Sequence, residues 1–362
     1  MSTAADAIWQ ALSAFAPRRV APPVLQPAGL YLDLMGEDIR ARAILTDDGL
    51  CLRPDMTIPA LRLALAEGIT QGALGYEGLV FRRQPQGSIK ESEFTQVGVE
   101  RLGPDAATIE GDLILAALGA CRSLGVNARL TLGHASFWTV LTQAMQLEPV
   151  WAQALERAYA RGGEAAMHAA ADMDFRADPI AQAVAALKPA DAEAAVEAML
   201  AAQGPAPPVG RKPAQIAARL QAKAALVKAP RPKPQQLGVL ARAMAIAGPP
   251  AAALGALDAL RAAPELRDAA PFEGLLAGVS SVAARIASGF AAQETVLRPA
   301  FGRGLAFYDG LVFELEAPAL GARASLGGGG RYDKLVAALG GPADCVAAGF
   351  ALRPQRLQEA LL

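Results

Sequence analysis

The sequence predicts an α+β fold in which a mixed sheet with flanking helices is interrupted by a helical insertion. Alternating apolar and polar residues, typical of half-buried strands, occur before residue 136 and return after residue 294. Between them helix-forming residues dominate, Pro and Gly punctuate the chain, and strand patterns vanish. We therefore predict a sheet domain made of residues 1–136 and 267–362, and a helical insertion domain made of residues 137–266.

The composition excludes several classes of function. The chain has 362 residues and a formal net charge of −1, so no overall field attracts it to nucleic acid or to an anionic membrane. Its three cysteines are far apart and predict neither a disulfide framework nor a zinc site. No apolar run of about 18 residues predicts a membrane span, and no signal core precedes the first helix. We expect a cytoplasmic protein that contacts neither membrane nor nucleic acid.

The first chemically informative segment is the start of a predicted helix that runs from residues 53–57 to about Glu67. Two short strands precede it, near residues 41–45 and 50–52, with a turn at 47–49. Asp55 and Thr57 are suited to capping the free N–H groups of the helix. The alternative is a ligand site, since helix starts collect polar ligands and a carboxylate can hold an ammonium group.

The next segment, residues 79–100, predicts two strands joined by a loop. Because side chains alternate along a strand, Arg82 and Gln84 share a face of the first strand. Gln96, Gly98 and Glu100 share a face of the second, and a strand glycine often marks close approach of a ligand or of backbone. The pattern fits the floor of a pocket for a small polar molecule, or alternatively the solvent-facing side of an antiparallel hairpin.

Histidine chemistry is not expected. His134, which ends a strand predicted at 126–132, and His168 are the only two histidines, and neither has metal-ligand or triad spacing. We therefore predict no metal site and no catalytic residues of these types.

The insertion predicts helices near 138–145, 149–161, 178–187, 190–202, 213–228, 235–246 and 250–262. Within it, residues 211–233 contain seven basic residues and no acidic one. A solvated helix face accounts for this pattern, and the alternative is contact with an acidic partner.

The C-terminal part returns to strands. A strand is predicted at 295–299, followed by a hairpin over 302–315 with a tight turn at Asp309 and Gly310. Another strand runs into four consecutive glycines at 327–330, which allow something to lie flat against the backbone. No GK[ST] follows, so this is not a phosphate-binding P-loop. A helix at 333–339, a strand at 346–352 and a final helix complete the chain.

Five segments in order resemble class II aminoacyl-tRNA synthetases of the histidyl type. They are Cys51-Leu52-Arg53-Pro54-Asp55-Met56-Thr57, the segment 81–100, the segment 302–310, Gly328-Gly329-Gly330-Arg331-Tyr332-Asp333, and the segment 349–357. The resemblance implies the class II core fold, a mainly antiparallel sheet flanked by helices. Only five residues follow Leu357, so we expect no anticodon-binding domain.

The resemblance also implies a set of binding residues. The positions that match the family's amino-acid pocket, and that we expect to bind histidine, are Asp55, Thr57, Arg82, Gln96, Glu100, Arg303 and Tyr308. The expected pocket floor comprises Gly98, Gly328, Gly329 and Gly330.

Departures from the synthetase pattern concentrate where ATP would bind. Gln84 stands in place of a glutamate, Ser88 and Ser92 replace loop arginines, and Ala306 replaces an aspartate. Phosphoryl chemistry needs positive charge and bound metal around the triphosphate, so these changes weaken adenylation. Gln84 and Arg356 are therefore expected to mark a vestigial nucleotide site.

This selective loss resembles the histidyl-synthetase-like regulatory subunits of ATP phosphoribosyltransferase. The resemblance implies a protein without aminoacylation activity and without a cofactor. It also implies a homodimer within a hetero-oligomer with the short-form catalytic subunit, in which it activates that subunit and takes part in feedback inhibition by histidine. Two alternatives stay open: a truncated enzyme that activates an amino acid with ATP, and a scaffold whose pocket is vestigial.

Overall fold

A computed structural model describes residues 3–103, 106–174, 178–202, 212–289, 295–302 and 305–362. Internal contacts divide the chain into two units. The first comprises Met1–Phe137, Ile246–Asp258 and Gly274–Leu362, and the second comprises Trp138–Ala245 and Ala259–Glu273. Residues 246–258, which the sequence analysis placed in the insertion, belong to the first unit. Within that unit Gly248 forms an isolated antiparallel β-bridge with Leu297.

All described strands lie in the first unit. They are β1 (Arg18–Arg19), β2 (Leu25–Pro27), β3 (Ile44–Leu45), β4 (Leu50–Leu52), β5 (Gly72–Phe81), β6 (Glu93–Leu102), β7 (Arg129–His134), β8 (Thr295–Leu297), β9 (Leu311–Glu316), β10 (Ser325–Arg331) and β11 (Ala347–Leu352). Eight of them form a sheet in the order β1-β5-β6-β11-β10-β9-β7-β8, and β2-β4-β3 form a smaller one. The pairs β1–β5 and β7–β8 are parallel and the other ladders are antiparallel.

The helices fall into groups before, within and after the insertion. They are α1 (Ala4–Leu12), α2 (Ala28–Leu34), α3 (Glu37–Arg42), α4 (Thr57–Ala66), α5 (Ala106–Ser123), α6 (Phe137–Ala144), α7 (Pro149–Asp172), α8 (Pro179–Ala185), α9 (Pro189–Ala201), α10 (Pro213–Ala225), α11 (Pro234–Met244), α12 (Pro250–Arg261), α13 (Ala270–Gly289), α14 (Asp333–Ala338) and α15 (Pro354–Glu359). Among the described residues, no helix is long and apolar enough to cross a bilayer.

Proline sets the helix starts of the second unit. Helices α7 to α11 each begin with proline, where the missing N–H is one that the helix would leave unpaired anyway and the fixed φ suits the first turn. At α8, Asp178 adds a side-chain cap by accepting a hydrogen bond from the Ala181 N–H. Proline at successive helix starts is therefore the local signal that predicts the helices in this part of the sequence.

The two faces of the large sheet have different roles. Val97 and Val99 of β6 point to one face, where Arg101 lies beside residues of α1 and α5. Glu100, one residue over, points to the other face, as strand alternation requires. On that face Tyr76, Val80 and Phe94 pack with Met56 and Ala60 from the region of α4. The polar face is thus partly covered by the helix that carries the predicted ligand residues.

Two local predictions are corrected. The hairpin predicted over 302–315 is wrong, since among the described residues of this range the strand is Leu311–Glu316, which pairs with β7 and β10. The Asp309 carboxylate instead accepts the N–H groups of Asp333 and Lys334, at 3.1 and 2.7 Å, at the start of α14.

The placement of Arg82 and Gln84 on a strand is also wrong, because β5 ends at Phe81. The Arg82 N–H still donates to the Ser92 carbonyl at 2.7 Å, so the ladder frays beyond this point. Both residues belong to the loop that follows β5, so strand alternation does not explain why their side chains lie near each other.

Candidate functional site

The register of four strands builds the polar face. Tyr76 of β5 lies opposite Gly98 of β6, which lies opposite Ala351 of β11. In the neighbouring row Glu100 lies opposite Gly349. Directly opposed residues in a ladder point to the same face, so small residues surround a few polar side chains. The predicted grouping of Gln96, Gly98 and Glu100 on one face agrees with this register.

Glu100 is the central carboxylate of this face and is 1% exposed. Its Oε1 accepts a hydrogen bond from the Tyr76 hydroxyl at 2.7 Å, and its Oε2 accepts one from the Tyr332 hydroxyl. Burial raises the pKa of Glu100 to about 7, while hydrogen bonds from Tyr332, Tyr76 and Thr57 oppose the rise and the charge of Asp55 adds to it. The site therefore holds a carboxylate that titrates near neutral pH.

Glycines make room for this arrangement. A Cβ added at Gly349 would lie 1.7 Å from Oε2 of Glu100, and one at Gly98 would lie 2.8 Å from the Tyr76 hydroxyl and 2.2 Å from the Phe350 carbonyl oxygen. Neither position admits a larger side chain. Gly98, which in the sequence suggested close approach of a ligand, is thus explained by the protein atoms that pack against it.

The oligoglycine segment divides between the two faces. Gly328 pairs with Ala351, and Gly330 pairs with Gly349, so both lie on the face of Glu100. Gly329 pairs with Phe350 and lies on the opposite face, where an added Cβ would meet the Gly349 carbonyl oxygen at 1.9 Å. Gly329 therefore does not belong to the pocket floor, because one step along a strand reverses the direction of a side chain.

Asp55 lies just before α4 and is 2% exposed. The residue at the helix N-cap is Met56, and its side chain makes no capping hydrogen bond, but the Ile58 N–H in the first turn acts on the Asp55 carboxylate and opposes the rise in its pKa that burial causes. Neither carboxylate oxygen of Asp55 forms a hydrogen bond of good geometry with a described residue. Burial raises the pKa of Asp55 to about 7, and the charge of Arg82 opposes the rise.

Three further buried polar atoms lack partners among the described residues: the Tyr31 hydroxyl, Oε1 of Gln96 and Oε1 of Glu110, the last within electrostatic reach of Arg331, Asp333 and Asp309. Burial and the charge of Asp55 raise the pKa of Tyr31 well above its ordinary value, which shows that Tyr31 lies within electrostatic reach of that carboxylate. Buried polar groups are nearly always paired, so unpaired ones indicate a missing water or ligand. The face offers a carboxylate, a phenol and an amide oxygen to such a molecule.

Aromatic rings close the other side of Glu100. The Tyr308 and Tyr332 rings meet edge-on with centroids 6.2 Å apart, and Phe307 and Tyr308 lie 4.7 Å apart. An added Cβ at Gly330 would meet the Tyr308 ring at 3.0 Å. Tyr308 therefore packs against Tyr332 beside Glu100, and its histidine-binding role stays a prediction, while Arg303, the predicted carboxylate ligand, lies outside the described residues.

Arg82 connects this cluster with a second feature. Its Nε donates to the Pro54 carbonyl at 2.7 Å, and its guanidinium carbon lies 5.4 Å from the centroid of the Phe94 ring. It also lines a cavity of about 290 Å³ together with Gln84 and Arg356. The structure thus brings the two residues of the predicted nucleotide site together with one predicted histidine ligand.

The charge of this basic cavity is partly neutralised by the protein. Arg356 is 2% exposed and donates to the carboxylates of Glu91 and Glu359, the latter at 2.9 Å. The Arg353 guanidinium lies 4.0 Å from the centroid of the Phe94 ring, a cation–π distance. Gln84 donates to the backbone carbonyls of Arg82 and Glu91 at 3.2 Å each, which closes the loop on itself.

The two histidines have other partners: His168 lies near Glu164 in the second unit, and His134 ends β7. Burial lowers the pKa of His134 to about 4, and its Nδ1 accepts the Ser136 N–H at 3.2 Å, so it is a hydrogen-bonded neutral side chain. The described part of the chain contains no cluster of three or more His, Cys, Asp or Glu residues suited to a metal ion.

Sequence comparison decides the family. The profile of the histidyl-tRNA synthetase family matches residues 3–230 and 215–357. An ATP phosphoribosyltransferase regulatory subunit from Brucella anthropi is 33% identical over 350 residues, which cover 93% of this chain and 91% of that protein. The chain belongs to the family of ATP phosphoribosyltransferase regulatory subunits. An ATP phosphoribosyltransferase regulatory subunit from Rhizobium meliloti is 34% identical over 360 residues, which cover 95% of this chain and 92% of that protein.

Solved structures place the fold of this regulatory-subunit family with the synthetases. A Bacillus halodurans structure described as an ATP phosphoribosyltransferase regulatory subunit/histidyl-tRNA synthetase superposes with a TM-score of 0.64 at 21% identity, covering 99% of this chain and 78% of that one. A histidyl-tRNA synthetase from Nostoc gives 0.62 at 14% identity, covering 99% and 70%. The predicted class II synthetase-like fold, a large sheet flanked by helices, is confirmed.

Sequence reasoning missed three tyrosines of the site. Tyr31, Tyr76 and Tyr332 were given no role, although the last two hold the Glu100 carboxylate. Tyr76 could have been found from the hairpin register, since it lies opposite Gly98. Tyr332 stands 232 positions from Glu100, and no local pattern signals that contact.

Proposed function

We propose that this chain is the non-catalytic regulatory subunit of an ATP phosphoribosyltransferase and that it binds histidine on the Glu100 face of its sheet. The names of its curated relatives support the regulatory role. In this role it activates the short-form catalytic subunit, acts as a homodimer within a hetero-oligomer, and transmits feedback inhibition by histidine in the cytoplasm. The described geometry supports the binding part of this proposal.

The observation that carries it is the buried, unpartnered carboxylate of Asp55 in the same polar cluster as Glu100. Two carboxylates buried so deeply repel each other, and neutral pH leaves each partly protonated. An ammonium group or an imidazolium between them would replace both protons with one cation that donates hydrogen bonds. Histidine carries both kinds of nitrogen, whereas most amino acids carry only the first.

The remaining groups fit the rest of such a ligand. Oε1 of Gln96 and the Tyr31 hydroxyl offer one acceptor and one donor that are unpaired among the described residues. Tyr308 adds an aromatic ring to this cluster, edge-on to Tyr332. Arg303 is proposed to pair with the carboxylate of the ligand, as a bidentate partner would.

Binding can regulate a partner only if the ligand prefers one arrangement of the protein. Glu100 contacts Tyr76 on β5 and Tyr332 just after β10, so a ligand that competes for its oxygens acts on two separate strands of the sheet. We propose that these two contacts couple an occupied pocket to the strands that carry them.

The basic cavity favours a regulator over an amino-acid-activating enzyme. Two carboxylates hold Arg356, and Arg353 lies against Phe94, so the protein itself engages groups that a nucleotide would need. Stabilisation of a transferring triphosphate requires cations directed at the developing charge. We expect no histidine-dependent exchange of pyrophosphate into ATP, and such exchange would establish the enzyme instead.

The test is the inhibition of the reconstituted complex by histidine. Glu100→Ala removes the carboxylate that organises the pocket, so the histidine concentration for half inhibition should rise at least about tenfold, as expected for loss of one buried charged partner. Assembly with the catalytic subunit, measured by sedimentation, should be unchanged.

Glu110→Ala is the matched control, because Glu110 is a second largely buried glutamate of the first unit whose pKa burial also raises to about 7. It should leave inhibition by histidine unaltered. If Glu100→Ala is inhibited like the wild type, the pocket assignment is wrong. If the wild type neither binds nor activates the catalytic subunit, the regulatory role itself fails. If calorimetry detects no heat of histidine binding to the wild type, the chain is a scaffold whose pocket is vestigial.

A further inference from the structure

The second unit contains a groove that the proposed histidine site does not use. It has a volume of about 480 Å³ and lies between α7 and α10. Helix α7 is broken at Gly162 and Gly163, the latter with a φ of +64°, a conformation that favours glycine. Because of this break, residues from both arms of α7 line the same groove.

The floor of this α7–α10 groove is apolar. Ile216 and Leu220 contribute partly buried side chains, and Met173, at the end of α7, is 51% exposed. An exposed methionine beside partly covered aliphatic residues suits an adaptable protein contact. Nucleic acid offers little to such a floor, since its backbone is charged and its bases need aromatic stacking partners.

The rim of the groove is basic. Arg157 and Arg161 of α7 face Arg219 and Lys223 of α10, and no carboxylate lines the groove among the described residues. Lys223 pairs with Asp178 at 2.5 Å. Neither Arg161 nor Arg219 forms an ion pair with a described carboxylate, and both are exposed. The rim therefore presents positive charge to whatever covers the floor.

The spacing of these residues suits a helix. On α10 the lining positions 216, 219, 220 and 223 follow the i, i+3, i+4, i+7 pattern of one helix face, and on α7 Arg157 and Arg161 are one turn apart. An amphipathic helix laid in such a groove places its own apolar stripe on the floor and its flanking residues against the rim. Because Arg161 and Arg219 present exposed positive charge on the rim, acidic flanking residues would complement it.

Within the basic segment 211–233, another residue has an internal role. Arg231 donates to the carbonyls of Ala171 and Met173 at 3.1 Å each, which anchors the end of α7 beside the groove. The basic composition noted in the sequence thus divides between holding α7 in place and charging the rim.

We propose that the α7–α10 groove is a docking site for an acidic amphipathic helix of the catalytic subunit. This inference rests on the proposed function, which supplies one protein partner for the chain. Charge complementarity and the apolar floor identify the kind of segment that binds. The helical insertion is then a partner-recognition element rather than a spacer between the halves of the sheet domain.

The experiment measures binding of the purified catalytic subunit to the full-length chain by calorimetry at several salt concentrations. The double variant Arg161→Glu, Arg219→Glu should weaken binding at least about tenfold and reduce its dependence on salt, because rim charges act through screened attraction. Met173→Ser should weaken binding without altering the salt dependence. Arg242→Glu is the matched control, an exposed arginine of α11 in the same unit that does not line the groove, and it should bind like the wild type.

The outcomes separate the two proposals. If the wild type binds and the double variant and Met173→Ser bind equally well, the groove proposal is overturned while the regulatory role stands. If the wild type does not bind, both fail. If an RNA hairpin binds the wild type but not the double variant, the groove serves nucleic acid and the proposal is wrong. Circular dichroism melting of Met173→Ser, whose exposed side chain can be changed without opening a core, guards against misfolding as the cause.

Discussion

Replacing Asp55 with asparagine tests the central electrostatic argument. The carboxylate is 2% exposed, and burial raises its pKa from 3.8 to about 7. At about 1.36 kcal/mol per pKa unit, that rise corresponds to about 4 kcal/mol of stability linked to one proton. Asparagine has a similar shape but carries no titrating proton, so the Asp55→Asn variant should lack this linkage.

The sign follows from the direction of the shift. Between pH 4 and 7 the folded wild type retains a proton that the unfolded chain releases, so its stability falls as the pH rises and then levels off. The variant does not share this fall. The free energy of unfolding of Asp55→Asn minus that of the wild type should therefore increase by about 4 kcal/mol from pH 4 to pH 8. Burial of the amide adds an offset that does not change with pH.

The assay is urea unfolding of both proteins without ligand across this pH range, followed by circular dichroism. The diagnostic quantity is the slope of the stability difference with pH, because the offset cancels. A difference that stays constant would refute the buried, unpaired state of Asp55. Calorimetry at pH 8 supplies the functional counterpart, in which the variant should bind histidine at least about tenfold more weakly through loss of a charged partner.

The other predictions concern the same face and the core. Gly349→Ala should destabilise the protein by about 3 kcal/mol or more in urea unfolding, because the new Cβ would lie 1.7 Å from Oε2 of Glu100. Gly119→Ala on α5, which meets nothing within 4 Å, should instead stabilise by about 0.5–1 kcal/mol, and equal effects of the two would contradict the packing argument. Tyr332→Phe removes one hydrogen-bond donor to Glu100, so the free energy of unfolding should fall by about 1–3 kcal/mol at pH 8 and by less at pH 5, where Glu100 is protonated. A loss of stability that does not depend on pH would argue against the hydrogen bond. Burial raises the pKa of each cysteine, so thiol reagents should label the native protein slowly and the urea-unfolded protein fully, and rapid native labelling would contradict the burial of Cys51, Cys121 and Cys345.

Local pattern predicted much of the site because its strands are regular. The alternation along residues 94–100 placed Gln96 and Glu100 on one face, and the β6 register agrees. The start of α4 was also readable, because a proline and a polar residue precede an apolar helical run. What these signals share is that a few neighbouring residues determine them.

The errors arose where distant residues decide the structure. Asp309 and Gly310 have the composition of a hairpin turn, yet Asp309 binds the backbone at the start of α14. Asp55 has the composition of a helix cap, yet it lies before the N-cap residue Met56 and its carboxylate forms no hydrogen bond of good geometry with a described residue. In both cases a local preference of about 1 kcal/mol yields to packing between segments that the sequence separates widely.

The division between the faces of the glycine run shows the same limit. Four glycines in a row carry no alternation, so the sequence cannot say which of them face the pocket. Only the pairing with β11 assigns Gly328 and Gly330 to one face and Gly329 to the other.

The hydrogen bond between Tyr332 and Glu100 has a consequence for synthesis of the chain. Its two ends are 232 residues apart, so at about 5–20 residues per second the ribosome takes roughly 10 to 50 s to deliver the second tyrosine after Glu100 has emerged. Throughout that interval β11, which pairs with β6, has not yet been made, and the β5–β6 hairpin presents an open strand edge while the helical unit is completed first. The nascent chain is therefore most exposed to aggregation before β11 leaves the ribosome, and slower translation of the insertion would lengthen that risk.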